Sequence, residues 1–272
     1  MPELPEVENV KNTLNKLVAN KTIQNVTVRW PNIVKYEIDA FKERLSGQTI
    51  LETTRRGKFL KLVLSEDVIV SHLRMEGKYS LHDNEEPLNK HAHVIFSFTD
   101  GTELRYHDVR KFGTMHLYRQ GEEETAPPLN NVGFEPFDPA LTPTVMQALF
   151  KKTTRNIKAV LLDQSLIAGL GNIYVDEVLF ASGIHPETKA QALTLAQLGV
   201  LHEKIVAILG ESVKKGGSTI RSYTNSEGKQ GSFQLELFVY GKKGQPCLTC
   251  GREIERTVIA GRGTHFCTNC QK

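Results

Sequence analysis

The 272-residue sequence has few cysteines, little net charge and no long apolar run. No uncharged apolar run approaches the roughly 18 residues of a membrane-spanning helix, which argues against a membrane protein. Hydrophobic residues still make up 39% of the chain against 24% charged residues, a balance that predicts a soluble, folded protein. The first residues, MPELPEVENV, lack the basic and then apolar order of a secretory signal. We therefore expect the chain to stay in the cytoplasm.

The few cysteines are all found in the last 26 residues, in the pattern C-x2-C-x16-C-x2-C. In a reducing compartment, such thiols are expected to be metal ligands rather than disulfides. Each C-x2-C pair presents two thiolates to one tetrahedral Zn²⁺, and four protein ligands leave no open coordination position. The sequence therefore predicts one structural zinc ion bound by Cys247, Cys250, Cys267 and Cys270, and places any catalysis elsewhere.

The net charge of +3 is unevenly distributed. Residues 214–272 contain ten Lys or Arg and only four Asp or Glu, so the rest of the chain is slightly acidic. A basic C-terminal surface indicates a polyanionic partner, and nucleic acid is the first candidate.

The pattern of apolar residues divides the chain into a β-rich part and a helical part. Residues 2–17 have helical spacing, and residues 22–119 contain short β-branched and aromatic runs that predict an antiparallel sandwich or barrel. A stretch with five prolines, residues 126–143, is typical of a linker. Helical spacing then returns in residues 143–152, 157–164, 173–181 and 193–214.

The N-terminus combines two groups that can do chemistry. If the initiator methionine is removed, Pro2 exposes a secondary amine that can be neutral near pH 7. Such an amine can attack an electrophilic carbon and form an iminium ion, with Glu3 beside it as a proton donor. The alternative is purely structural, because proline is a common first helical residue and an acidic side chain there complements the helix dipole.

Two other segments offer anion-binding groups, each with an ordinary alternative. Between the C-x2-C pairs, the segment ERTVIAGRGTHF predicts a hairpin with Arg262 at its tip, free to grip a phosphate or simply solvated. Tyr240 precedes the first pair beside two lysines and is a candidate for a backbone track. The turn GLGN places Asn172 at a helix start, either as an N-cap in an anion site or in a plain packing turn. Lys152 and Lys158 precede that turn and belong to a solvated face or to phosphate contacts.

The roles of four residues in the β-rich part do not follow from the periodicity of the sequence. Lys58 is a phosphate contact, a proton donor or a rim lysine without a role, and Arg110 is an ordinary surface charge or a binding residue. Met75 and Phe112 would ordinarily be core residues.

Several segments, taken together and in order, resemble the bacterial formamidopyrimidine-DNA glycosylase family: MPELPEVE, RRGKFL, SHLRMEGKY, KHAH, DVRKFG, GLGNIY, GSFQ and the paired CxxC motif with GRGTHFC. The resemblance implies an α+β protein of two domains. An N-terminal catalytic β-sandwich with a leading helix would span residues 2–131 and a linker residues 132–142. A helix–two-turn–helix DNA-binding domain would span residues 143–235, with a lesion-capping loop at 216–231, and a zinc finger residues 238–272.

The resemblance also implies roles for individual residues. Pro2 is similar to the family's Schiff-base nucleophile, Glu3 to the acid that assists ring opening and base loss, and Glu6 to a supporting residue. Lys58 is similar to the proton donor in β-elimination, and Arg262 to the finger arginine linked to phosphate binding and δ-elimination. Positions similar to DNA contacts are His91, Arg110, Lys152, Lys158 and Asn172, with Tyr240 as the candidate noted above.

The implied reaction acts on a base that is buried in a duplex, so the nucleotide must be extruded and the gap filled. Met75 and Phe112 resemble the residues that fill the gap, and Arg110 the residue that hydrogen-bonds the orphaned cytosine. The expected activity is removal of 8-oxoguanine and formamidopyrimidines opposite cytosine in double-stranded DNA, followed by β- and δ-elimination, by a monomer that needs only the structural zinc. Two alternatives remain: an endonuclease VIII-like enzyme for oxidised pyrimidines, and a non-catalytic zinc-ribbon DNA-binding protein.

Overall fold

The computed structural model describes residues 1–218 and 231–272, which form two compact units. One unit comprises Met1–Asn130 together with Gly216–Ser232, and the other comprises Asn131–Lys215 together with Phe233–Lys272. Most of the predicted lesion-capping loop, residues 219–230, lies outside the described residues.

The first unit begins with helix α1, Leu4–Val18, as the spacing of its apolar residues predicts. Val7, Val10 and Leu14 fall on one face and are at most 1% exposed. Glu3 is the N-cap and takes an extended backbone conformation, which starts the helix at the next residue. A helix therefore forms almost at the chain end and packs its apolar face on the sheets that follow.

Two four-stranded antiparallel sheets follow α1 and enclose the core of this unit. Their strands are β1 Ile23–Val28, β2 Ile50–Arg56, β3 Phe59–Leu64, β4 Asp67–His72, β5 Lys78–Asp83, β6 Ala92–Phe98, β7 Thr102–His107 and β8 Thr114–Arg119. The orders are β1-β6-β7-β5 and β2-β3-β4-β8. A short helix, α2 Ile38–Leu45, interrupts the predicted run of strands because the Glu37 carboxylate caps it by accepting from the backbone N–H groups of Asp39 and Ala40.

The second unit contains the predicted helices, α3 Pro143–Phe150, α4 Ile157–Leu162, α5 Asn172–Ala181 and α6 Leu195–Lys214. Side chains of Thr142, Asn156 and Thr194 cap α3, α4 and α6 by accepting from first-turn N–H groups. None of the helices in the described part of the chain is long and apolar enough to cross a membrane.

Residues 238–272, which we call the finger, end the chain with the predicted hairpin. Strand β9, Glu255–Ile259, pairs antiparallel with β10, Arg262–Phe266. The connecting residues Ala260 and Gly261 both have positive φ, 50° and 71°, as a two-residue type I′ turn requires. The predicted fold class is therefore confirmed: α+β, an N-terminal β-sandwich with a leading helix, and a helical domain that ends in a cysteine-bearing hairpin.

Candidate functional site

The predicted nucleophile and acid lie at the buried beginning of α1. Pro2 is buried and Glu3 is 3% exposed, whereas Met1 is 47% exposed. The Glu6 Oε2 atom accepts a hydrogen bond from the backbone N–H of Glu3 at 2.8 Å, which fixes the first turn. While Met1 is present, the Pro2 nitrogen is an amide, so the arrangement provides a nucleophile only in a chain from which Met1 has been removed.

The second oxygen of Glu6 joins this helix to the start of the predicted loop. Glu6 Oε1 accepts from the backbone N–H of Ser218 at 2.7 Å and from its hydroxyl at 3.2 Å. One turn further along α1, Asn9 Nδ2 donates to the carbonyl of Gly216 at 3.2 Å. Glu6 is 3% exposed, so these bonds are shielded from water and strong. Glu6 therefore connects the N-terminus to Ser218, near the start of the predicted loop 216–231. The sequence did not indicate this contact.

Lys58 lies beside a histidine that the sequence analysis missed. Lys58 directly precedes β3 and is 5% exposed, and His72 ends β4 opposite Phe59. Burial, together with the positive charges of Arg74 and Lys58, lowers the pKa of His72 to about 3. Its Nδ1 accepts from the backbone N–H of Arg74 at 2.9 Å, so the proton of the neutral ring is on Nε2. His72 is thus a neutral hydrogen-bond donor beside Lys58, and its place in SHLRMEGKY was the available signal.

Two turns of the first unit present the residues predicted to enter DNA, and we call residues 73–77 and 108–113 the wedge turns. Met75 is 41% exposed on the first and Phe112 is 54% exposed on the second, which excludes a core role for either. The Arg110 guanidinium lies over the Phe112 ring at 4.8 Å from its centroid. His91 adjoins them, since its carbonyl accepts from the backbone N–H of Asp108 at 3.1 Å. The structure therefore brings together four predicted DNA contacts: Met75, His91, Arg110 and Phe112.

In the second unit, Lys152 is exposed, and Asn172 is not the N-cap of α5 that the sequence analysis considered. Lys152 follows α3 and has its side chain at the surface. The N-cap of α5 is Gly171, which has extended dihedrals, so Asn172 is the first helical residue and not the cap. Its amide Nδ2 donates to the carbonyl of Gly263 in β10 at 2.8 Å, while Oδ1 is buried and has no hydrogen-bond partner among the described residues. Asn172 thus contacts the finger directly.

Lys158 requires a correction, because the structure does not place its ammonium at the surface. The side chain is 0% exposed, and Nζ lies 2.6 Å from Asp176 Oδ1 and 3.3 Å from the Gly263 carbonyl. A buried lysine needs such an ion pair, since an uncompensated charge in the interior is costly. A direct phosphate contact, as predicted, does not fit this burial. Helical spacing misled the prediction because it places a lysine on a face but does not say what covers that face.

Two consecutive acidic residues of α5 hold the finger. Asp176 Oδ2 accepts from the backbone N–H of His265 in β10 at 2.8 Å. The Glu177 carboxylate accepts from three successive backbone N–H groups at 2.7 to 2.9 Å, those of Phe238, Val239 and Tyr240. The Tyr240 ring packs edge-on against His265, with centroids 5.0 Å apart. Arg262, exposed at the start of β10, is therefore carried on a hairpin whose position α5 determines.

The four cysteines form one compact cluster at the base of this hairpin. Their sulfur atoms all lie within 4.8 Å of one another, with Sγ atoms 3.9 Å apart for Cys247 and Cys270 and 3.5 Å apart for Cys250 and Cys267. Tetrahedral Zn²⁺ with Zn–S bonds of about 2.3 Å separates its ligands by about 3.8 Å, which agrees with these distances. Four thiolates leave no coordination position for substrate, so the site suits one structural zinc ion.

Family models match this chain along most of its length. Residues 1–115 match the formamidopyrimidine-DNA glycosylase N-terminal domain, and residues 132–224 match the formamidopyrimidine-DNA glycosylase H2TH domain. Residues 244–272 match a zinc finger found in FPG and IleRS, which agrees with the cysteine cluster and confirms the zinc prediction.

Similar proteins give the same result over the full chain. The formamidopyrimidine-DNA glycosylase of Bacillus cereus is 61% identical over 100% of this chain and 99% of its own length. That of Geobacillus kaustophilus is 54% identical over 100% of both chains. The Lactococcus lactis Fpg in complex with DNA containing an abasic site has a TM-score of 0.92 and 41% identity, covering 99% of both chains. The same Lactococcus lactis protein with DNA containing N7-benzyl-Fapy-dG has a TM-score of 0.91 and 42% identity over 100% of both chains. This chain therefore belongs to the formamidopyrimidine-DNA glycosylase family.

Proposed function

We propose that this protein is a bifunctional DNA glycosylase and lyase that removes 8-oxoguanine and formamidopyrimidines from double-stranded DNA. The proposal includes a preference for lesions opposite cytosine, action as a monomer, and a location in the bacterial cytoplasm, where the chromosome is. The observation that carries it is the buried start of α1 in a member of this family, where Pro2 is buried and the backbone N–H of Glu3 donates to the carboxylate of Glu6.

The proposed chemistry begins when removal of Met1 exposes the Pro2 amine. The nitrogen lone pair forms a bond to C1′ of the extruded nucleotide, and the glycosidic bond breaks as the base leaves with a proton. Glu3 is proposed to supply a proton as the sugar ring opens. The resulting iminium ion acidifies C2′, and loss of that proton expels the 3′ phosphate.

Proton transfer at the later steps is assigned to two basic residues. Lys58 is 5% exposed directly before β3 and lies beside His72, whose ring is neutral, and we assign it the proton transfers of β-elimination. Arg262 is assigned to the phosphate that leaves in δ-elimination, because its exposed guanidinium can bind two phosphate oxygens at once. Water then hydrolyses the Schiff base and frees the enzyme.

DNA binding is assigned to residues of both units and to the finger. Lys152, Asn172 and Tyr240 are proposed to contact the phosphate backbone, together with His91. Met75 and Phe112 are proposed to fill the gap that the extruded nucleotide leaves, with Arg110 bound to the orphaned cytosine. The loop 216–231 is proposed to cover the extruded base, and the attachment of its root to Glu6 supports a link between base capture and the nucleophile.

The decisive experiment is borohydride trapping on a duplex with 8-oxoguanine opposite cytosine. The wild-type protein is expected to form a covalent adduct that proteolysis and mass spectrometry locate on the N-terminal peptide, which also reports whether Met1 is absent. Pro2→Gly is expected to weaken or abolish the adduct, whereas Pro5→Ala, in the same helical turn, keeps the terminal amine and serves as the control. Undiminished trapping by Pro2→Gly would contradict the assigned nucleophile, and DNA binding without any adduct would favour the non-catalytic alternative.

A further inference from the structure

The two wedge turns meet at one buried tyrosine of β7. The ring of Tyr106 is 0% exposed, and its hydroxyl lies against a glycine in each turn. A Cβ atom on Gly113 would overlap that hydroxyl and come 2.7 Å from Cζ of the same ring. A Cβ atom on Gly77 would overlap the hydroxyl and lie 3.0 Å from Leu73 Cα. The phenol therefore fills the space between the two turns.

The glycines are required by this close approach and not by their backbone conformation. Neither Gly77 nor Gly113 has a positive φ, unlike twelve other glycines in the described residues. At Gly113 the missing side chain admits the Tyr106 ring and hydroxyl, and at Gly77 it admits the same hydroxyl and the Leu73 carbonyl oxygen, which would both lie within 2.5 Å of a Cβ atom there. Burial raises the pKa of Tyr106, so the hydroxyl keeps its proton.

Asp108 connects the same hydroxyl to the second turn. Its carboxylate is 1% exposed and accepts from the backbone N–H of Arg110 at 3.0 Å and of Gly113 at 2.8 Å. The Tyr106 hydroxyl lies 3.5 Å from the same carboxylate and donates toward it. The Asp108 side chain thus sets the curvature of the turn that presents Arg110 and Phe112. The Tyr106 phenol contacts both that turn and the one that presents Met75.

A single tryptophan lies beside this arrangement. Trp30 is the only tryptophan of the chain, and the Lys111 ammonium lies 3.7 Å from its ring centroid. Lys111 stands between Arg110 and Phe112 in the second turn, with a positive φ of 59°. Because an ammonium over an indole alters its fluorescence environment, the emission of Trp30 reports the position of this turn.

We propose that Tyr106 and Asp108 are positioning residues that hold the two wedge turns at a fixed separation, so that Met75, Phe112 and Arg110 enter DNA as one preformed unit. The inference rests on the proposed function, since it assumes that these three side chains fill the gap and bind the orphaned cytosine. Its physical basis is that residues locked before binding lose less conformational freedom on insertion than residues on independent turns.

The first test replaces Tyr106 by Phe, which keeps the buried ring and removes only the hydroxyl. Single-turnover excision of 8-oxoguanine is measured opposite cytosine and opposite adenine, together with Trp30 emission on binding each duplex. The ratio of the two rates is expected to fall by about fivefold, the effect of one lost hydrogen bond on the placement of Arg110. Tyr79→Phe is the matched control: Tyr79 is also buried, its ring centroid lies 5.1 Å from that of Tyr106, and its hydroxyl donates to Ser71 at 2.7 Å, a residue outside both wedge turns.

Borohydride trapping on a single-stranded oligonucleotide with an abasic site separates the two levels of the proposal. That substrate has no opposite base and no stack to refill, so Tyr106→Phe is expected to trap like the wild type. If the wild type forms no adduct, the proposed function fails. If trapping is intact but Tyr106→Phe keeps both the wild-type rate ratio and the wild-type Trp30 response, the positioning role is refuted.

A second test uses the steric contact and does not depend on the hydrogen bond. Gly113→Ala is expected to slow excision opposite cytosine at least tenfold, and adding Tyr106→Phe is expected to restore part of the rate because the overlapping oxygen is gone. Relief is partial, since Cζ remains 2.7 Å from the new methyl group. Gly199→Ala is the control, because in the described part of the chain no atom outside its own helical turn lies within 4 Å of a Cβ there. Effects of Gly113→Ala and Tyr106→Phe that simply add would overturn the proposed contact.

Discussion

The corrected role of Lys158 leads to a prediction that separates an internal ion pair from a phosphate contact. Lys158→Met keeps much of the aliphatic stem and removes the charge, which leaves the Asp176 carboxylate buried without its cation. Breaking one side of a buried pair costs about 3 to 5 kcal/mol. Because the His265 N–H still donates to Asp176 at 2.8 Å, we expect about 3 kcal/mol.

The assay combines urea unfolding, followed by far-ultraviolet circular dichroism, with DNA affinity measured over a range of salt concentrations. Each phosphate contact contributes about 0.9 to the slope of log affinity against log salt concentration. Lys158→Met is expected to lower stability and to leave the slope unchanged. Lys152→Met, at the exposed end of α3, is expected to lower the slope and to leave stability unchanged. A second change, Asp176→Asn, is expected to recover about half of the lost stability by removing the unpaired charge.

The reasoning is refuted if Lys158→Met lowers the salt slope by about 0.9 while the urea midpoint stays at the wild-type value. That result would mean that the ammonium reaches a phosphate in the complex and that its pairing with Asp176 contributes little. Failure of Asp176→Asn to recover any stability would show that the loss came from packing of the Lys158 stem.

Two further predictions concern pH and zinc. The folded-state pKa of His72 is lowered to about 3 from 6.5, so its contribution to stability is complete above pH 6.5 and is lost as the pH falls toward 3; between pH 6.5 and 5 the loss is about 2 kcal/mol. Urea unfolding at several pH values should show a flatter profile for His72→Gln, and an unchanged profile would be inconsistent with a buried neutral ring. Cys267→Ser is expected to lose zinc and DNA affinity together, as measured by metal analysis and duplex binding. Wild-type affinity in a metal-free sample would remove the finger from the proposed DNA contacts.

Local patterns predicted the elements whose formation depends on nearby residues. Helix α1 follows from the spacing of Val7, Val10 and Leu14, and the finger hairpin from paired cysteines around a glycine-rich turn. Both signals lie within a short stretch of chain, and both were confirmed. Helix α2 was missed because its cap, Glu37, lies among β-type runs and its eight residues bury only Phe41 and Leu45.

Local sequence patterns could not predict contacts between residues that are far apart in the sequence. Lys158 and Asp176 are both ordinary helix residues until folding buries them against β10, where Lys158 contacts Gly263, 105 positions along the chain, and Asp176 contacts His265, 89 positions along. Gly77 and Gly113 were similarly indistinct, because only the packed structure shows the Tyr106 hydroxyl between them. The catalytic roles came from the family resemblance, since Pro2 and Glu3 alone also describe an ordinary helix start.

The adjacent acidic residues of α5, Asp176 and Glu177, attach the finger to the helix at two separate points. Neighbouring helical residues point about 100° apart, so the two carboxylates bind different segments of the chain. Asp176 binds β10, and Glu177 binds the beginning of the finger. Attachment at two separated points prevents the finger from swivelling about either. Helix α5 therefore sets the orientation of the hairpin that carries Arg262, while the zinc ion only holds the two C-x2-C pairs together. A finger transplanted from another protein would bind zinc equally well and still point its arginine in the wrong direction, unless its backbone offered N–H groups to the same two carboxylates.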